Sequence, residues 1–445
     1  MKTASQNPLH RRDFLKLVGL TTAGLGLSAC APSILRETAR DRGNVSLVYQ
    51  DCGCTTTAQQ MLEKFNTVNP NIKVFFTSDP EKTDEQVLTD FEAGSAPDVF
   101  ASCCDLLPIL AQNGYLLDLR PFVQADLDRS AIDDWDAAQY QAFFTGKGVQ
   151  FALPKYHGAL AIYYNKDVFD KYNVDYPDGT WNHDDYHAAM KRLTKFEGQD
   201  SKDNLWGSML DVSWERIQIH VNGWGGHLVD PNDPTRSLMA EPEAMAALEW
   251  IRSQMWDDHI MANSLDVQKL EPKFAFNQGR LAMVEEGSWA LKDILDGAPF
   301  RLGVTTFPAG PKHKVTLSTT DGYAVYAGTK HPEAAWELMK YLTGRDYERA
   351  LAESILLQPA SASLVDEWIG YIQKGYPEKV RSMDLTAFAE GQMKGYSVTA
   401  EIFANMAEAR RIVLPAWKQI FTLGQASVDT IREISAQVDQ AQHIQ

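Results

Sequence analysis

Apolar and polar positions along the chain change period several times, and each change marks an element. Val45-Ser46-Leu47-Val48-Tyr49 is β-branched and apolar and reads as a strand. From Thr55 to Asn66 the spacing of Met61, Leu62 and Phe65 is helical, threonines stand at its start, and Asn69-Pro70 closes it. Ile72 to Phe76 is the next strand, Asp84 to Ala93 a second helix, and Asp98-Val99-Phe100, after Pro97, a third, short strand. The alternation then recurs. Leu160 to Tyr164 is a strand, Thr180 or Asn182 caps a helix running to about Thr194, and Pro242 to Met255 is an amphipathic helix. Leu302-Gly303-Val304 and Tyr323-Ala324-Val325 are strands, Pro332 to Leu342 is a helix, and the C-terminal region is mainly helical. Strands alternating with helices predict a parallel sheet covered on both faces, with a ligand site off the carboxyl ends of the strands. Asp51 to Cys54 and Ala101 to Asp105 follow two of those ends.

The segment before Val45 breaks this pattern. His10-Arg11-Arg12-Asp13-Phe14-Leu15-Lys16 resembles the twin-arginine export motif, and an apolar, glycine-broken stretch from Leu17 to Leu27 follows it. That stretch is shorter than the roughly 20 apolar residues a membrane span needs, so it reads as the core of a signal peptide. Leu27-Ser28-Ala29-Cys30 matches the bacterial lipobox, whose cysteine is acylated and becomes the new N-terminus. Residues 1–30 are therefore expected to be a signal and 31–43 a tether. The mature chain is expected outside the cytoplasmic membrane, anchored through lipid on Cys30. A cytosolic N-terminal helix with a chance cysteine does not account for two signals in the right order.

Composition narrows the class. A chain of 445 residues has room for two domains. A net charge of −17 excludes a nucleic-acid partner and weighs against a strongly anionic ligand. Five cysteines are an odd number; with Cys30 taken by lipid, Cys52, Cys54, Cys103 and Cys104 form an even set in a compartment that permits disulfides. Their loops follow strands expected to be neighbours, about 4.8 Å apart, and a disulfide needs Cα atoms roughly 4.4–6.8 Å apart. All three pairings stay open. Thiolates also suit a soft metal, but the spacing lacks C-x-x-C and no histidine lies near either pair, so disulfides are expected and no metal. The chain has no G-x-S-x-G, H-E-x-x-H or P-loop, and no motif fixes the two carboxylates of a glycosidase. Neither a catalytic residue nor a cofactor is expected.

Several stretches, in order, resemble the extracellular solute-binding proteins of ABC importers, in the group that includes maltose- and oligosaccharide-binding proteins. They are Leu62-Glu63-Lys64-Phe65 with Asn69-Pro70-Asn71-Ile72-Lys73-Val74, then Ala96-Pro97-Asp98-Val99-Phe100, Leu153-Pro154 and Gly158 through Phe169. Thr180-Trp181, Asn222-Gly223-Trp224-Gly225-Gly226, Phe276 through Met283, Gly287-Ser288-Trp289, Asp321 through Val325 and His331 through Trp336 follow. The resemblance implies an α/β, two-lobed, periplasmic-binding-protein-like clamshell, each lobe a mainly parallel sheet with flanking helices, plus C-terminal helices. Crossings between lobes fall near His157 to Ala159, Thr305 to Pro311 and Leu357 to Pro359. Lobe 1 is then 44–156 plus 311–357, and lobe 2 is 157–310 plus 358–445.

It also implies a monomeric protein, not an enzyme, that captures a carbohydrate and delivers it to the permease subunits of an ABC transporter. A sugar needs planar polar groups at its rim and aromatic rings against its faces. Asp51 and Asp105 correspond to positions that bond sugar hydroxyls in the family; as local features they are also helix-cap carboxylates. Tyr156 and His157 flank the first crossing, where His157 is either a ligand contact or a hinge histidine. Trp289 matches a position where the family sets a ring against the sugar. Trp224, among glycines, and Trp214 are further aromatic candidates, and Trp417 could close the cleft from the C-terminal helices. Asp321 and Gly322 lie where the chain returns to the first lobe, and Gly322 would let backbone approach a ligand. The competing readings are a binding protein for another small solute or a metal, and a lipid-anchored hydrolase.

Overall fold

Strands from distant parts of the chain assemble into two principal sheets. The structure, a computed structural model, describes residues 45–51, 55–78, 84–102, 106–197 and 204–443. Cys30, Cys52, Cys54, Cys103, Cys104 and Asp105 lie outside the described residues, as do the signal and the tether.

The first sheet contains β1 (Val45–Gln50), β2 (Ile72–Thr77), β3 (Val99–Ser102), β4 (Leu153–Pro154) and β8 (Gly322–Val325), in the order β2-β1-β3-β8-β4. β1 runs parallel to β2 and β3, and β8 is antiparallel to both of its neighbours. Helix α1 (Thr55–Val68) buries Ala58, Met61, Leu62 and Phe65, the i, i+3, i+4, i+7 stripe of a helix packed on a sheet. These side chains meet Leu47, Tyr49, Val74 and Val99 in one core. The helix stops because the Asn69 amide bonds back to the Phe65 carbonyl and Pro70 follows.

The second sheet has β5 (Leu160–Asn165) between β6 (Met283–Gly287) and β7 (Leu302–Thr306). Both pairings are antiparallel, a departure from the mainly parallel sheet expected here. β5 carries the chain away from the crossing, and β6 and β7 bring it back. Helix α2 (His183–Leu193) starts with a complete capping box, Asn182 accepting from the Asp185 N–H and Asp185 accepting from the Asn182 N–H. Helix α3 (Trp214–Gly223) and helix α4 (Met406–Trp417), from the C-terminal region, pack into the same large core. Among the described residues no helix is long and apolar enough to cross a membrane.

The segments joining the two sheets are fastened to one another. Ala159 bridges Ser318, and the Thr319 N–H donates to the Gly158 carbonyl at 2.9 Å. The fully buried Gln139 amide donates to both the Tyr156 carbonyl (2.8 Å) and the Thr319 carbonyl (2.5 Å). A further tie comes from Gln358, whose carbonyl accepts from the His157 N–H at 3.1 Å.

Candidate functional site

A cavity of about 330 Å³ opens beside these joining segments. It is lined by Tyr156, Thr319, Thr320 and Asp321 together with Asp211, Glu215, Arg216 and Trp289. Three residues picked out in the sequence, Tyr156, Trp289 and Asp321, therefore meet at one place.

Trp289 sits in a single 3-10 turn, Ser288–Ala290, directly after β6. Its ring folds back over Gly287: a Cβ there would stand 2.1–2.2 Å from three indole carbons, so only glycine fits. The indole also packs against three separate hydrophobic clusters, which fixes its orientation. The Arg216 guanidinium carbon lies 5.8 Å from the indole centroid, a cation–π distance. Arg216 itself is held by Glu286 at 2.6 Å and by the Glu285 carbonyl.

Asp321 is buried, and burial pushes its acid pKa up to about 6 against the pull of Lys155 and its bonds with Thr319 and Tyr156. Burial likewise raises the Asp211 carboxyl. Desolvation is the first cause at both positions. Asp321 and Asp211 are thus held in surroundings less welcoming to negative charge than water is.

The other candidates are placed elsewhere. Asp51 has no exposed surface; it accepts from Lys155 Nζ at 2.7 Å and from the Tyr49 hydroxyl at 2.7 Å. Its carboxylate anchors Lys155, which lies on the first joining segment. His157 is also fully buried: its Nδ1 accepts from the Gln358 amide at 3.1 Å, its Nε2 lies 3.8 Å from Asp136, and burial lowers its pKa. That is the surrounding of a hinge histidine.

Trp214 stacks on Trp417 at 5.2 Å and donates its indole N–H to the Glu401 carbonyl. Both rings are core, and Trp417, with no exposed surface, packs that core instead of closing the cavity. Trp224, half-buried, lies against His183 and Trp250 at 4.6 and 5.3 Å, outside the cavity lining. At Gly322 a Cβ would meet the Phe143 ring at 2.9 Å and the Leu153 carbonyl at 3.0 Å, so the close approach there is to Phe143 and Leu153.

Asp211, Ser213, Glu215 and Arg216 were not singled out in the sequence. They surround the start of α3, and a polar run at a helix start beside Trp214 was the signal available. Among the described residues no group of three or more His, Cys, Asp or Glu is placed to hold a metal ion.

Comparison with known proteins extends the picture. The profile described as bacterial extracellular solute-binding protein matches residues 55–349. A putative binding protein of Brucella abortus is 22% identical over 340 residues, covering 75% of this chain and 78% of that protein. The multiple sugar-binding protein of Streptococcus mutans is 24% identical over 357 residues, covering 74% and 77%. An ABC substrate-binding protein of Listeria monocytogenes, solved with cycloalternan, superposes with a TM-score of 0.78 at 20% identity, over 90% of this chain and 100% of that one.

Proposed function

Because this chain belongs to the family of bacterial extracellular solute-binding proteins, we propose that it captures a carbohydrate between its lobes and hands it to an ABC transporter permease. The observation that carries this reading is the meeting of Trp289, Tyr156 and Asp321 in one cavity beside the joining segments. An indole face suits the C–H face of a sugar, and a carboxylate beside a phenol suits its hydroxyls. At about 330 Å³ the cavity lies at the small end of the roughly 300–1,000 Å³ usual for ligand sites, which favours a short saccharide. Lobe closure then buries the ligand between them. The lobes are taken as 44–156 plus 311–357 and 157–310 plus 358–445.

The protein is proposed to act as a monomer without turnover, exported and held at the membrane by lipid on Cys30, as the twin-arginine and lipobox motifs suggest. Isothermal calorimetry against mono- and disaccharides, with small-angle scattering of the same mixtures, tests the reading. Saturable binding with a more compact bound form is the expected result. Hydrolysis of a bound saccharide, or the absence of any binding across the panel, would overturn it.

A further inference from the structure

Next to the residues that hold Trp289 runs a line of buried polar groups with no part yet in ligand capture. The His183 Nδ1 faces the Ala309 carbonyl at 3.0 Å, in the segment after β7. The His183 Nε2 faces the His220 Nδ1 at 2.9 Å, and the His220 Nε2 faces Glu285 Oε2 at 3.1 Å. The other carboxylate oxygen, Oε1, accepts from the Tyr186 hydroxyl at 3.0 Å. His220 and Glu285 have no exposed surface and His183 almost none, so bulk water stands in for none of these links.

The three links from Ala309 to Glu285 need three hydrogens. A neutral imidazole carries one, so two neutral rings and a carboxylate supply two. Burial and the neighbouring His220 lower the His183 pKa to about 3, which keeps that ring neutral near neutral pH. The Ala309 carbonyl can only accept, so the single hydrogen of His183 sits on Nδ1 and its Nε2 accepts from His220. The His220 Nε2 and Glu285 Oε2 would then meet lone pair to lone pair, a costly arrangement for buried groups, unless a further proton lies between them.

Arg216 and His220 stand one turn apart on α3 and reach the same stretch of β6. Arg216 donates to the Glu285 carbonyl and pairs with Glu286 at 2.6 Å, while His220 meets the Glu285 side chain. Helix α3 thus grips β6 just before Trp289, whose ring centroid lies 5.8 Å from the Arg216 guanidinium carbon. Resting on the reading of the cavity as the ligand site, we infer that His220 is a positioning residue. A proton held between His220 and Glu285 locks α3 to β6 and so seats Arg216 and Trp289 in the cavity wall.

Proton–nitrogen correlation NMR of the histidine-labelled full chain reads the hydrogens without any ligand. Both His183 and His220 should be protonated on Nδ1; a His183 ring protonated only on Nε2 would mean a chain one hydrogen short and overturn the proposal. In Glu285→Gln the side-chain amide donates to the His220 Nε2 in place of the shared proton, and in Glu285→Met, of similar length, nothing does. Glu285→Gln should leave the Trp289 indole resonance in place and bind glucose, maltose and cellobiose within about threefold of the wild type. Glu285→Met should shift that resonance and bind at least about tenfold more weakly. His220→Phe, which keeps the ring packing on Trp250 and Phe307, is a second loss variant expected to match it. Loss variants that leave the indole resonance in place would overturn the proposal, and so would a Glu285→Gln variant as impaired as Glu285→Met, since the charge and not the link would then matter. A wild type that binds none of these sugars overturns the carbohydrate reading, while the histidine and indole resonances still decide the positioning role.

Discussion

Replacing Asp51 by asparagine separates two roles for this residue. Its carboxylate is fully buried, 2.7 Å from Lys155 Nζ, and the lysine side chain is only 8% exposed. Asp51→Asn keeps an acceptor for the Tyr49 hydroxyl but removes the carboxylate charge 2.7 Å from the ammonium. Breaking a buried pair from one side costs about 3–5 kcal/mol. For a lobe-sized cooperative unit each kcal/mol moves the melting temperature by roughly 2–4 °C, so a fall of about 6–20 °C is expected. Removing both charges together, as in Asp51→Asn with Lys155→Met, should restore most of it, since an apolar replacement of a buried pair is often near neutral. Differential scanning calorimetry reads the stability, and titration with the best-binding sugar reads affinity on the folded protein. Affinity should change by less than about threefold, because Asp51 has no surface to offer a ligand. A variant that melts like the wild type and no longer binds sugar would refute the reasoning and return Asp51 to the ligand site.

Other expectations are as specific. Trp289→Ala should weaken sugar binding by about ten- to a hundredfold, and it should also cost up to about 3–5 kcal/mol of stability, because the indole packs against three clusters. Trp289→Phe should recover much of the stability, and unchanged affinity in both variants would remove the ring from the site. Burial raises the pKa of Glu348 from 4.5 to about 7, although Ser361 donates to its carboxylate twice. The folded state therefore keeps a proton that the unfolded chain releases, and stability falls as pH rises between those two values, by roughly 3 kcal/mol in all. In Glu348→Gln the urea midpoint should follow pH less steeply over that window; an unaltered slope would contradict the assignment. Cys52, Cys54, Cys103 and Cys104 should resist alkylation in exported protein until a reductant is added, and their quantitative labelling without it would argue for free thiols.

Local pattern carried the elements well and their arrangement less well. The Ala58, Met61, Leu62 and Phe65 stripe and the Asn182–Asp185 cap are written in adjacent residues, so the helices they define were readable. Strand direction is not written that way: Leu160–Asn165 looks the same whether its neighbours run with it or against it, and the antiparallel second sheet came only from the structure. Tyr156 and Asp321 were visible because they flank expected crossings, and Trp289 because its stretch resembles the family's ring position. Asp211 and Arg216 were not, since their place in the cavity depends on where α3 is docked by contacts far away in sequence. Trp417 misled for a related reason. An aromatic residue at a helix end beside Pro415 suggests a lip, but the Trp214 ring that covers it lies about two hundred positions earlier and gives no local sign.

The Gln139 amide has a mechanical consequence. One side chain grips the carbonyls of Tyr156 and Thr319, which belong to two different strands of the connection. Those strands cannot slide past each other unless both bonds break, and each bond is buried, where an orphaned carbonyl is costly. Shear is thereby removed as an easy motion, and twisting or bending of the fastened strap is left as the soft coordinate. The linkage resembles a torsion bar with its strands spliced, so a change in the angle between the halves is the motion these two bonds leave open.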